Sequence, residues 1–218
     1  MDTADYVWIG KHRSSGKGGG GVGFIVSQSL ESNIKVLKGW DPDDILWITI
    51  QGPPGAIKLT IGLVYISPAQ RDSDPEGVAQ LLSQFMAAKE EYSKDSIVML
   101  MGDLHFDVKR DKGKSYTEAW MQTIEEMNME MVDSRGPLAR QPTRYPPQKD
   151  VQIDPAHLDY LMIDTQWSHL ATEEKILDGA AHSVGSDHVP IMMKLGWQRK
   201  ESDSRPIWVK VLNMPKRR

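Results

Sequence analysis

The sequence predicts an α/β protein, a four-layer sandwich of two mostly antiparallel β-sheets flanked by helices. Three observations predict it. Short runs rich in β-branched residues recur through the first third of the chain, separated by clusters of Gly, Pro, Asn and Asp. The apolar spacing then switches, twice, to a helical period. Between the two helical stretches lies the continuous apolar run Ser96 to Met101, which reads as a strand buried on both faces.

In chain order, Val22 to Ser27, Ile34 to Leu37, Ile45 to Ile50 and Ile57 to Ile66 read as strands, with Gly52-Pro53-Pro54-Gly55 as the turn between the last two. Asp74-Pro75 has the residues of a helix start, Asp as cap and Pro in the first turn. Val78, Leu81, Leu82, Phe85 and Met86 follow at helical spacing to about Tyr92. Ser115 to Met127 reads as a second helix, with Trp120, Ile124 and Met127 on one side. Asn128 to Asp133 leads into a Pro-rich loop, Pro137 to Pro155. Strands are expected at Leu158 to Ile163 and Val189 to Leu195, and another at Lys175 to Leu177. The methionines Met121, Met127, Met129 and Met131 read as core filler, because an unbranched thioether adapts to irregular gaps.

A length of 218 residues suits one domain, 1–197, followed by a basic tail, 198–218. With 39% hydrophobic and 26% charged residues the chain can fill a core, which excludes a disordered protein. The absence of cysteine excludes a disulfide scaffold, a thiolate metal site and a thiol nucleophile. No apolar run approaches the roughly 18 residues of a membrane span. Met1 to Gly10 carries no early basic cluster, so no secretory or transit signal is visible. An intracellular location is expected, and a nuclear one is compatible with the sequence. From Arg199 to Arg218 the net charge is +5, so residues 1–198 carry −9 against a total of −4. An acidic body argues against nucleic-acid binding by a basic surface, but suits enzymes whose carboxylates hold a divalent cation that neutralises phosphate.

The glycine-rich stretch Gly16 to Gly23 is no phosphate loop. Lys17 precedes the glycines and a β-type run follows them, so a flexible turn feeding a strand is the better account. Three other sites carry chemistry. Gly102-Asp103-Leu104-His105 follows the most apolar strand and would bring Asp103 and His105 out on one side. Ser186-Asp187-His188-Val189-Pro190 opens another strand, where adjacent acid and imidazole suit metal ligation, proton transfer or phosphate stabilisation. Asp159 stands inside an apolar strand, where an unpaired carboxylate is costly, and His188 is a chemically sensible partner.

Together these segments resemble the endonuclease/exonuclease/phosphatase superfamily, and within it the endonuclease domains of LINE-type (non-LTR) retrotransposons. The resemblance runs from Tyr6 to Leu195. Gly19-Gly20-Gly21-Val22-Gly23 resembles the family's GGGVG turn, and Tyr65-Ile66-Ser67-Pro68 its Y-x-x-P segment. Gly102 to His105 stands at its G-D-F-N, with His105 in place of Asn. Leu158-Asp159-Tyr160 resembles its I-D-Y, and Ser186 to Pro190 its S-D-H-x-P.

The resemblance implies a Mg2+-dependent phosphodiesterase that nicks DNA, with Mn2+ as an alternative cation. Asp103 and Asp187 would be the metal carboxylates, with Asp103 also orienting the attacking water. His188, backed by Asp159, would stabilise the transition-state charge, and His105 would stand among the catalytic groups. Tyr65, Thr143 and Arg144 would contact substrate. The family also places an Asn-bearing strand and a strand ending in a metal-binding Glu ahead of the GGGVG turn, and neither is found here. A missing N-terminal segment is therefore expected, and with it weak cation binding. The alternative reading is a catalytically impaired or dead domain of the same fold, retained as a binding or scaffold element, for instance within a nucleoprotein assembly.

Overall fold

The computed structural model describes residues 5–12, 21–39, 44–52, 54–132, 141–146, 154–177 and 186–197. The start of the glycine-rich stretch, most of the Pro-rich loop and the basic tail lie outside the described residues.

Among the described residues, ten strands and four α-helices follow one another along the chain. They are β1 (Tyr6–His12), β2 (Gly21–Ser27), α1 (Gln28–Glu31), β3 (Ile34–Leu37), β4 (Ile45–Ile50), β5 (Lys58–Tyr65), α2 (Pro68–Ser73), α3 (Pro75–Tyr92), β6 (Ser96–Asp103), α4 (Ser115–Glu126), β7 (Met129–Met131), β8 (Asp159–Asp164), β9 (Ala171–Ile176) and β10 (Ile191–Leu195). Six strands form the main sheet in the order β3-β4-β5-β6-β8-β7. Neighbours are antiparallel except β5 and β6, which run parallel and are joined by a crossover through α2 and α3. The continuous apolar runs of β4 and β6 are explained by position, since every residue of both strands is buried.

One face of this sheet packs on α3 and α4. Trp47, Val64, Val98, Leu100 and Met162 meet Val78, Leu82, Phe85, Trp120 and Ile124 there. The other face, with Ile48, Ile61, Leu63, Met99, Leu161 and Ile163, is covered by Val22, Phe24 and Val26 of β2 and by Ile191 of β10. The fold class predicted from sequence is the one observed. In detail, the second β-layer is two separate antiparallel ribbons among the described residues, β1 with β2 and β9 with β10.

Most boundaries agree with the sequence reading within two residues. The differences have local causes. β1 was not expected, because Gly10 and Lys11 interrupt its apolar pattern, and its residues alternate between exposed and half-buried as an edge ribbon allows. α2 was concealed by Pro68, yet Ser67 and Gln70 form a reciprocal capping box. β7 lies inside the segment read as leading to a loop, and is a three-residue edge strand. β9 begins four residues before the expected Lys175, after a 3-10 turn at Thr165–Leu170. The methionine reading holds: Met127, Met129 and Met131 are buried and Met121 packs against the same core.

Candidate active site

The candidate side chains gather where β5 and β6 end and β8 begins. In the paired register Tyr65 stands opposite Asp103, and Asp103 opposite Asp159. Three neighbouring strands therefore deliver Tyr65, Asp103 and Asp159 to one edge of the sheet. Gly102 makes the last step of β6 feasible. Its φ is +148°, and a Cβ there would lie 1.8 Å from the Val64 carbonyl oxygen, so β5 and β6 can close up only around glycine.

Beyond Asp103 the chain turns through Leu104, fully buried, into His105, whose φ of +52° is left-handed. Three contacts hold that conformation. The His105 N–H donates to Asp103 Oδ1 at 3.0 Å, its ring meets the Tyr65 ring edge-on at 5.7 Å, and its carbonyl accepts from Arg71 Nη1 at 2.7 Å. His105 Nε2 is thereby placed 3.1 Å from Asp103 Oδ2. Arg71 was not singled out from the sequence. Its signal was the capping box that starts α2 and carries Arg71 to this loop. The Tyr160 hydroxyl braces the same loop, lying 3.0 Å from the carbonyl oxygens of Phe106 and His157 and accepting from the Val108 N–H at 3.3 Å.

His188 comes from a different part of the chain and is fixed by a short connecting segment. Thr143 and Arg144 form backbone bonds to Ala156 on one side, while the Val189 and Tyr145 N–H groups bond the Thr143 and Asp187 carbonyls on the other. The Thr143 side chain, wholly buried, donates through Oγ1 to Asp159 Oδ2 at 2.7 Å and accepts from the N–H groups of Leu158 and Asp159. That one hydroxyl sets the orientation of the Asp159 carboxylate. Asp159 Oδ2 in turn lies 2.8 Å from His188 Nδ1, as the cost of an unpaired carboxylate in this strand requires. The His188 N–H is held by Ser186 Oγ at 3.0 Å. With Nδ1 spent on Asp159, His188 Nε2 faces Asp103 Oδ2 at 3.9 Å.

The electrostatics follow from burial and charge. Burial pushes the Asp103 carboxyl up, aided by the Asp159 charge, while His105 pulls it back. Burial opposes the charging of His188, but the bond and charge of Asp159, with Asp103 and Asp187 behind it, outweigh this and raise the imidazole to about 9. Asp103, Asp159 and His188 each offer a donor atom within 4.8 Å of the others, a set able to hold a cation. Asp187 is not part of this set. It is partly exposed at the rim, where its Oδ2 accepts from Arg144 Nε at 2.9 Å. The expected substrate-binding residues thus divide: Tyr65 lies at the cluster, Thr143 is an internal support, and Arg144 is the counter-ion of Asp187.

No family model matches the sequence, and no curated protein matches it. Solved structures do match. The endonuclease domain of TRAS1, a telomere-specific non-LTR retrotransposon, aligns with a TM-score of 0.65 at 14% identity over 89% of this chain and 80% of that one. The AP endonuclease LMAP from Leishmania major aligns at 0.67 and 12% identity, over 87% of this chain and 70% of that one. An AP endonuclease from Archaeoglobus fulgidus aligns at 0.63 and 17% identity, over 88% and 80%. The fold is that of the endonuclease/exonuclease/phosphatase enzymes. Within that fold the cluster lies on the residues that the motif resemblance had singled out: Asp103, His105, Asp159 and His188. Among the described residues no helix is long and apolar enough to cross a membrane.

Proposed function

We propose that this chain is a divalent-cation-dependent phosphodiesterase acting on DNA, with Mg2+ or Mn2+ as its cation. The observation that carries the reading is the Asp103–Asp159–His188 cluster, whose donor atoms converge within 4.8 Å on a fold shared with DNA endonucleases. Carboxylate oxygens in this spacing suit a hard divalent cation such as Mg2+ or Mn2+. Asp103 would hold it, with Asp187 joining once released from Arg144. The cation, when bound, supplies positive charge to the phosphate and lowers the pKa of bound water.

The protein groups do the rest. Asp103, whose Oδ2 lies between His105 Nε2 and His188 Nε2, would orient the attacking water and accept its proton. His188, held charged by Asp159, presents Nε2–H toward the oxygens on which negative charge accumulates. Tyr65, edge-on to the His105 ring, would offer its hydroxyl to the phosphate. The Arg144–Asp187 pair favours a second reading, in which the site binds phosphate but turns over poorly, because a guanidinium occupies a carboxylate that a cation needs.

A plasmid-nicking assay decides between them. Supercoiled DNA with Mg2+ or Mn2+ should be relaxed by the native chain and not by Asp103→Ala or His188→Ala. Equal background from all three proteins, with DNA still retarded on a gel, would establish the binding-only reading.

A further inference from the structure

Residues 109–114 concentrate positive charge on an acidic molecule. Four of the six are basic, Lys109, Arg110, Lys112 and Lys114, and one is acidic, Asp111, a net of +3 within a body that carries −9 over residues 1–198. All four basic residues are exposed, whereas Asp111 is only 2% exposed. The Asp111 carboxylate accepts from Arg110 Nε at 3.2 Å, Arg110 Nη2 at 2.9 Å, Lys114 Nζ at 2.6 Å and the Asp107 N–H at 2.9 Å. The acid is thus turned inward, while the Arg110 and Lys114 side chains that it holds remain 43% and 66% accessible.

The loop backbone is fixed as well. Asp107 Oδ1 accepts from the N–H groups of Lys109 and Arg110 at 2.9 and 3.1 Å, and its Oδ2 from the His157 N–H at 2.9 Å. The Asp111 N–H donates to the Asp107 carbonyl, and Gly113, at a left-handed φ of +82°, donates its N–H to Glu118 Oε1. A loop held in this way loses little further freedom when a ligand docks on it. Its place is beside the candidate site. Asp107 follows His105 by two residues, and Arg71, which donates to the His105 carbonyl, lies within electrostatic reach of Asp111 and Arg110. Asp72, next along α2, is within reach of both Lys114 and His105.

The chemistry of the strip selects its partner. Residues 109–114 contain no aromatic or apolar side chain, and lysine is depleted from the cores of protein interfaces, so a protein surface is the poorer match. A DNA duplex carries about one phosphate charge per 1.7 Å of its axis, and Lys and Arg bind it by neutralising phosphates and releasing condensed counterions. The acidic body repels such a polyanion, which makes a basic strip next to the site the place where a strand can lie. We propose that residues 109–114 form a docking strip for the phosphodiester backbone of duplex DNA, holding the strand on the His105 side of the site. Lys109, Arg110, Lys112 and Lys114 meet phosphates, and the buried Asp111 positions two of them. The proposal rests on the DNA reading of the site.

The test is binding of the full chain to a short fluorescein-labelled duplex, followed by anisotropy, with chelator present so that the DNA stays intact. Between about 50 and 200 mM salt, the slope of log affinity against log salt should become shallower by about 0.9 in Lys112→Gln and about 1.8 in Lys109→Gln/Lys112→Gln. Lys35→Gln removes the same charge from β3, at the far edge of the main sheet, and should leave the slope as it is. Circular dichroism checks the fold of each variant. In the unmutated chain, bound duplex should protect Lys109, Lys112 and Lys114 from acetylation, and not Lys35. An unchanged slope in the double variant, an equal loss in Lys35→Gln, or no retention of the duplex by the native chain would each overturn the proposal. Equally tight, loop-dependent binding of polyglutamate would overturn it in favour of an acidic protein partner. Loop-dependent DNA binding without any nicking of plasmid would sink the phosphodiesterase reading and leave this one standing. Nicking with Mg2+ by a chain whose slope ignores the loop would do the reverse.

Discussion

Arg144 Nε donates to Asp187 Oδ2 at 2.9 Å, which places a fixed positive charge on a carboxylate beside the Asp103–Asp159–His188 cluster. The pair is partly exposed, with 26% of the Arg144 and 37% of the Asp187 side chain accessible, so its net strength is modest, about 0.5–1 kcal/mol. A divalent cation must nevertheless displace that guanidinium to recruit Asp187. Arg144→Met should therefore tighten cation binding by about two- to fivefold, the factor to which that energy converts. Calorimetric titration with Mn2+ checks it. A variant that binds Mn2+ more weakly than the native chain would show that Arg144 supports the site.

The Asp159–His188 bond predicts a pH dependence in chelator-treated protein. An unfolded histidine titrates near 6.5, whereas His188 in the folded chain is raised to about 9. A group whose folded pKa is raised contributes stability that is complete below its unfolded pKa and is lost as the pH climbs through the folded value. Stability should thus fall between about pH 6.5 and 9. Asp159→Asn should remove most of that slope and bring the His188 ring resonance down toward the ordinary histidine range. Urea unfolding at a series of pH values, with histidine NMR alongside, measures both. A native protein equally stable at pH 6 and pH 9 is the result that excludes the assignment.

What the sequence revealed, and what it concealed, divides along the range of the physical signal. Asp159 was legible because a carboxylate inside an apolar strand demands a partner, and only the S-D-H context offered a suitable one. β4 and β6 were legible because strands covered on both faces need uninterrupted apolar runs. The role of Thr143 was not legible as such. A threonine in a Pro-rich loop carries no period and no motif strong enough to show that its hydroxyl would fix a carboxylate sixteen residues away. The Arg144–Asp187 pair and the Arg71–His105 bond span 43 and 34 residues and depend on where loops cross, which no local pattern encodes. The split of the second β-layer into two ribbons is likewise a tertiary outcome. β2, β9 and β10 could be read as strands, but β1 and the pairing of each ribbon could not.

Thr143 offers a test of that internal support. Its hydroxyl serves one carboxylate and two backbone N–H groups in a fully buried position. Removing it in Thr143→Ala takes the Thr143 partner from the two N–H groups and leaves the Asp159 carboxylate with His188 but without its hydroxyl donor, at a cost of about 2–3 kcal/mol. Thr143→Ser keeps the hydroxyl and loses only a methyl group, so about 1 kcal/mol is expected. Denaturant unfolding of the two variants should separate them clearly. If serine costs as much as alanine, packing of the methyl group rather than the hydroxyl holds this corner together.

Gly102 provides the sharpest backbone prediction. Its φ of +148° belongs to a region that L-residues avoid, and the added Cβ of Gly102→Ala would sit 1.8 Å from the Val64 oxygen and 3.0 Å from the Val64 nitrogen. Neither is the end of a flexible side chain. Both belong to β5, in the register that sets Tyr65 opposite Asp103. Relief requires β5 and β6 to separate at the site end of the sheet, which breaks ladder hydrogen bonds and shifts Asp103 away from His188. The variant should lose at least about 3 kcal/mol of stability, at the top of the range for single substitutions. Where it still folds, Mg2+ and Mn2+ binding should be lost even well below its melting temperature, because the displaced atoms are those that aim Asp103. A folded Gly102→Ala protein with native cation affinity would show that the strand ends tolerate separation and that Asp103 is positioned by its loop contacts with His105 instead.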